Sequence, residues 1–139
     1  MRNEKEVIRK LPKHMNEKEL KAIDGFLKKL HETEDVKTCK HCKERMAERG
    51  ISFSSIKEIF KYCTIEDIVE TNVKELRGEP VLRMLVLSKK IYGTGEDKYR
   101  VGISVNTKTL EVVTVVKSSL KPHGVGIKDP GIDITKYIG

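Results

Sequence analysis

The chain has 139 residues, 37% of them apolar and 35% charged, enough for one hydrophobic core and little for a second. Lysine and arginine number 28 against 21 acidic residues, a net charge of +7 that favours a polyanionic partner such as RNA or DNA over an acidic small molecule. No apolar run approaches the roughly 18 residues of a membrane span, the stretch from Met1 to Glu6 lacks the apolar heart of a secretory signal, and three cysteines are an odd count. A soluble cytoplasmic protein with reduced thiols is expected, without membrane, secretory leader or disulfide framework.

Val7, Ile8 and Leu11 predict a short helix that Pro12 ends. Asn16 followed by Glu19 reads as a reciprocal capping box, after which Leu20, Ile23, Leu27 and Leu30 fall on one helical stripe through about His31. Thr38 can cap a second helix with Cys39, Cys42 and Met46 as its apolar face, and Gly50 sits where a left-handed closing residue is needed. Ser52 can cap a third, turning Ile56, Ile59, Phe60 and Cys63 inward.

From Thr64 the period changes. Ile65 to Asn72 and Val81 to Ser88 read as strands, the second apolar on both faces and therefore central. Tyr99, Val101, Ile103 and Val105 alternate with Arg100, Gly102, Ser104 and Asn106, and a turn over Asn106 to Thr109 leads into a strand from Leu110 to Lys117, a β-hairpin. Gly93 to Lys98 is a loop without the spacing of a nucleotide-binding glycine motif. The pattern predicts an α+β fold, with N-terminal helices packed on one face of an antiparallel sheet of about four strands. Residues 1–35 would form a helical extension, 36–120 the main α+β domain, and 121–139 a tail that either wraps the sheet or moves freely.

On the second helix, His41, Arg45 and Arg49 recur every four residues and so share a face. A group that titrates near neutral pH beside two permanent cations suits a phosphate, because imidazole can move a proton while guanidinium holds charge on oxygen. The same spacing also occurs on solvated helices, where Arg45 and Arg49 would pair with Glu44 or Glu48. Arg83 interrupts an apolar strand, and its charge demands a partner, for which Glu66, Asp67 and Glu70 are available. Lysines such as Lys40, Lys43, Lys89 and Lys90 could track phosphates, yet 5% aromatic content without tryptophan argues against extensive base stacking. Cys39 and Cys42 form a Cys-x-x-Cys unit with Cys63 and His31 as conceivable further zinc ligands. A single pair at helical spacing reads instead as apolar core, so neither metal, redox centre nor cofactor is expected.

The run Lys40-His41-Cys42-Lys43-Glu44-Arg45-Met46, continued by Arg49-Gly50-Ile51-Ser52, resembles the opening signature of an uncharacterised domain family common in prophages and toxin loci. The resemblance continues to Val81-Leu82-Arg83-Met84-Leu85-Val86 and to the strand from Val112 to Val115, covering about Val36 to Lys117. Such domains have been grouped with the barnase, EndoU, colicin and RelE type of ribonuclease fold, in which helices precede a small antiparallel sheet whose face binds RNA. The resemblance implies a toxin-like RNA-binding protein or metal-independent endoribonuclease, with His41, Arg45, Arg49 and Arg83 as site positions and an antitoxin or host protein as a partner class. Metal-free cleavage also needs a second proton carrier; Glu44, Glu48, Tyr99 and His123 are the candidates, and spacing does not choose among them. A non-catalytic protein-interaction module and a zinc-stabilised module are the alternatives from other classes.

Overall fold

Asn16 and Glu19 close the capping box: Asn16 Oδ1 accepts from the Glu19 N–H at 2.9 Å, and Glu19 Oε1 accepts from the Asn16 N–H at 3.0 Å. The helix they start, α1 (Glu17–Glu32), buries Ile23, Phe26, Leu27 and Leu30. α2 (Lys40–Arg49) and α3 (Phe53–Tyr62) follow, the latter capped by Ser52 and burying Ile56, Ile59 and Phe60 as the spacing predicts. The computed structural model describes residues 8–120 and 126–138.

The sheet has five strands rather than about four: β1 (Ile8–Lys10), β2 (Ile68–Leu76), β3 (Glu79–Tyr92), β4 (Tyr99–Asn106) and β5 (Val112–Ser119). They lie in chain order, and every neighbouring pair is antiparallel. The extra strand stands where a short helix is predicted. Leu11 precedes Pro12 and takes an extended backbone (φ −93°, ψ 156°), as the proline ring requires. Ile8 then pairs with Val73 and Lys10 with Thr71, while Val7 lies outside the described residues.

Strand boundaries shift for local reasons. Ile65–Asp67 is a 3-10 turn, because Asp67 Oδ2 accepts from the Thr64 N–H at 2.9 Å, and β2 starts only after it. Arg77 (φ 52°) and Gly78 (φ 82°) make the tight β2–β3 turn, whose left-handed backbone matches the twist of the strands it joins. After β4, Asn106 Oδ1 accepts from the N–H groups of Lys108 and Thr109, and Leu110 is left-handed (φ 63°), so β5 begins at Val112.

All three helices share one hydrophobic cluster with a single face of the sheet, including Val73, Leu82, Met84, Val86, Ile103, Val105 and Val115. The expected boundaries after residues 35 and 120 run through this cluster, since α1 supplies four of its members and the C-terminal segment supplies the fully buried Ile134. The described part of the tail, 126–138, is an ordered wrap: Ile134 N–H donates to Glu19 Oε2 at 3.1 Å, and Lys10 Nζ donates to the Ile132 carbonyl at 2.6 Å. Among the described residues no helix is long and apolar enough to cross a membrane.

Candidate nucleic-acid interface

Side chains alternate across a strand, so the residues between the core-facing ones form the face that no helix among the described residues covers. Register carries one polar row across four strands of that face: Arg9 opposite Asn72, Asn72 opposite Arg83, and Arg83 opposite Asn106. Leu85, Leu87 and Val116 ring Gly102 beside the row. Arg9 forms a two-pronged ion pair with Glu70, donating from Nε to Oε2 at 2.8 Å and from Nη2 to Oε1. Asp67 is bonded by Arg100 Nη2 and Lys89 Nζ, each at 2.8 Å. Two of the carboxylates available to Arg83 are therefore engaged elsewhere. The Arg83 side chain makes no ion pair or hydrogen bond to a described residue, and its Nε is buried without a partner among them. An unpaired donor on the middle strand of a sheet is uncommon and costly.

The helical row is arranged differently. α2 runs along the outer edge of β5, where unpaired strand groups would otherwise face solvent. Val112 N–H donates to the Lys37 carbonyl at 2.9 Å, Cys39 N–H donates to the Val112 carbonyl at 3.2 Å, and the Cys39 thiol donates to the Val113 carbonyl at 3.3 Å. Arg49 completes the series by donating from Nη1 to the Val115 carbonyl. Arg49 lies seven residues beyond Cys42, on the same inward stripe, and binds backbone rather than facing outward with His41. Cys39, not Thr38, caps the helix; Thr38 instead bridges to Val112, and Gly50 closes α2 at φ 64° as predicted.

His41 is exposed and touches Arg45, whose Nε donates to His41 Nε2 at 3.3 Å while Nη1 pairs with Glu48 at 3.1 Å. The structure thus brings His41 to Arg45 on α2 at the β5 edge, while Arg83 stands on β3, two strands further into the sheet. Lys40 and Lys43 are exposed on α2, Lys89 is tied to Asp67, and Lys90 Nζ sits 5.0 Å from the centre of the Tyr92 ring. A hollow of about 790 Å³ between the end of α1 and α3, lined by His31, Phe53, Lys57 and Tyr62, takes in none of the predicted site residues. A second, of about 400 Å³ between α3 and β3, takes in only Lys89 and Lys90.

Of the candidate proton carriers, Glu48 is paired with Arg45, Tyr99 stacks on Tyr92 with ring centres 5.8 Å apart, and His123 lies outside the described residues. Burial pushes the Cys42 and Cys63 thiols up to about 11. His31 Nε2 lies 2.7 Å from the Cys63 carbonyl oxygen and 4.0 Å from its sulfur. Among the described residues no group of three or more His, Cys, Asp or Glu is placed to hold a metal ion.

Sequence reasoning singled out Arg83 but missed its row, Arg9, Asn72 and Asn106. The signal was present for Asn72, which alternates with Thr71 and Val73, and for Asn106, two residues beyond Ser104 in the hairpin. Arg9 carried none, because its strand is three residues long. Comparison with family models, with curated proteins and with solved structures gave no match. The family resemblance therefore rests on the signature residues alone.

Proposed function

We propose that the protein binds RNA through the helix-free face of its sheet, with the Arg83 guanidinium contacting a phosphate. Asn72 and the amide nitrogen of Asn106, whose oxygen is held by the turn, flank it as hydrogen-bonding groups, and Leu85 and Val116 offer apolar contact beside the row. One observation carries the reading: in a chain of net charge +7, the guanidinium at the centre of this face has no partner among the described residues. Guanidinium suits the role because its planar donors match phosphate oxygens. The reading stops at binding. A cleavage site would need a proton carrier beside Arg83, whereas His41 stands on α2 at the β5 edge, two strands away from β3.

Fluorescence anisotropy with a labelled single-stranded RNA tests this. Binding should weaken steeply with added salt, and Arg83→Ala should lose roughly 1.5 kcal/mol, about tenfold in affinity. The same variant should flatten the salt slope by about 0.7, the share of one phosphate contact on a single strand. An unlabelled single-stranded DNA of the same sequence should compete less well than RNA. Equal affinity in Arg83→Ala and the parent chain, or no binding at low salt, overturns the proposal.

A further inference from the structure

Cys39 and Cys42 hold different positions although they share one motif. Cys39 is the N-cap of α2, has extended backbone (φ −74°, ψ 166°) and is partly exposed, whereas Cys42 lies in the first turn and is fully buried. The extended backbone folds the Cys39 side chain over that turn, so that Sγ accepts from the Cys42 N–H at 3.3 Å. Residues three apart in a helix have Cα atoms about 5 Å apart, inside the range a disulfide spans. In the middle of a helix their side chains diverge; here the cap conformation has already brought the first sulfur to the second residue. The first turn of α2 carries Lys40 and Lys43 and no acid, with the helix N-terminus adding further positive potential. Glu111 is the acidic group whose charge reaches Cys42.

We infer that Cys39 and Cys42 form a thiol–disulfide exchange site, with Cys39 the attacking thiol, Cys42 the resolving thiol and a small-molecule disulfide such as oxidised glutathione the reaction partner. The inference stands apart from the RNA reading and uses none of its residues. The Cys39 thiolate attacks one sulfur of the small disulfide, whose S–S bond breaks and releases one thiolate. Cys42, deprotonated, then attacks Cys39 Sγ, breaking the mixed disulfide and releasing the second thiolate. In sum, two cysteine thiols lose two electrons and two protons, which appear on two molecules of reduced small thiol. An attacking thiol on a partly exposed residue, its sulfur stabilised by an N–H group, and a resolving thiol on a buried one are the division of labour this exchange requires. Oxidation also turns Cys39 Sγ away from the Val113 carbonyl, leaving Arg49 as the side-chain tie between α2 and the β5 edge.

The test equilibrates the full chain in reduced and oxidised glutathione mixtures from strongly reducing to strongly oxidising, followed by acid quench, alkylation, intact mass and peptide mapping. Expected is the loss of two of the three alkylatable thiols in one step, with the bond mapped to Cys39 and Cys42 and Cys63 still alkylatable. Cys42→Ser should accumulate a glutathione adduct at Cys39, and Cys39→Ser should show none at Cys42. Three free thiols throughout, a stable adduct at Cys39 without ring closure in the parent chain, or a disulfide through Cys63 overturns the inference. The parent-chain result decides the matter if either variant fails to fold.

Discussion

Lys10 Nζ and Glu19 Oε2 meet at 2.8 Å with side chains only 6% and 1% exposed, joining the first strand to the first helix inside the core. The pair also fixes the chain's far end, since Lys10 binds the Ile132 carbonyl and Glu19 the Ile134 N–H. Removing one partner leaves the other charge buried and unpaired, which costs about 3–5 kcal/mol. Lys10→Ala and Glu19→Ala should each lower the free energy of unfolding in urea by that order. Glu48→Ala, which breaks a solvated pair with Arg45, should cost under about 1 kcal/mol. Similar losses in all three would show that the buried pair does not join these elements.

The same carboxylate makes stability depend on acid. Burial alone would raise the Glu19 pKa, but the hydrogen bond from Lys10, those from the Ile134 and Asn16 N–H groups, and the Lys10 charge outweigh it. The net shift is downward from 4.5. The unfolded chain therefore binds this proton more readily than the folded one. The contribution is complete above the ordinary value of 4.5 and disappears as the pH falls through the lower folded pKa. Urea midpoints measured from neutral pH to pH 3 should fall on the acid side, and Glu19→Gln should fall less steeply there. Identical acid slopes would remove Glu19 as a source of the effect.

How much of this was legible in the sequence depends on the range of each interaction. The α1 capping box is three residues long, and Asn16 and Glu19 declare it; Glu19's bond to Ile134 spans 115 residues, and no local pattern contains it. The β4–β5 hairpin follows from alternation and from the turn chemistry of Asn106. β1 escaped because three residues cannot establish a period, and Val7, Ile8 and Leu11 fit a helical stripe equally well. Arg83 was visible as a charge among apolar neighbours, but its lack of a partner among the described residues depends on Arg9 and Arg100 taking Glu70 and Asp67, contacts set by tertiary register. The row of His41, Arg45 and Arg49 was correct as helical spacing. Its error lay in breadth: each step of four residues rotates about 40° around the axis, which turns Arg49 toward the sheet edge.

That rotation separates the effects of two substitutions on one helix. Arg49 donates to the Val115 carbonyl at the edge of β5, a charge-assisted bond whose loss costs about 1.5–3 kcal/mol. His41 is exposed and its side-chain hydrogen bond is a surface one with Arg45, so its replacement should stay within about 0.5 kcal/mol. Arg49→Ala should lower the melting temperature and His41→Ala should leave it unchanged. The reverse order would show that α2 is not anchored to β5 through this guanidinium.

Gly102 has an ordinary backbone, so its role is one of space. A Cβ built there would stand 2.9 Å from Val116 Cγ2 and 3.0 Å from Leu87 Cδ2. Valine has little rotamer freedom and cannot swing its methyl aside cheaply. Gly102→Ala should therefore destabilise by about 1–3 kcal/mol through overpacking, although alanine is the better residue for reducing unfolded-chain entropy. A neutral or stabilising result in urea unfolding would mean that β5 yields at this point.

Arg83 separates stability from binding. Its buried Nε has no acceptor among the described residues, and an unsatisfied donor of this kind costs about 1–3 kcal/mol. Methionine keeps much of the side chain's length and its contacts on the strand while removing the charge and the donors. Arg83→Met should hold or raise the free energy of unfolding, by up to roughly 1 kcal/mol, and should lose RNA affinity as Arg83→Ala does. Arg9→Met provides the contrast, because Arg9 is bound to Glu70 and its removal strands a buried carboxylate. That variant should be less stable and only indirectly impaired in binding. A large loss of stability in Arg83→Met would show that the guanidinium is satisfied in solution, and the case for a phosphate at its tip would go with it.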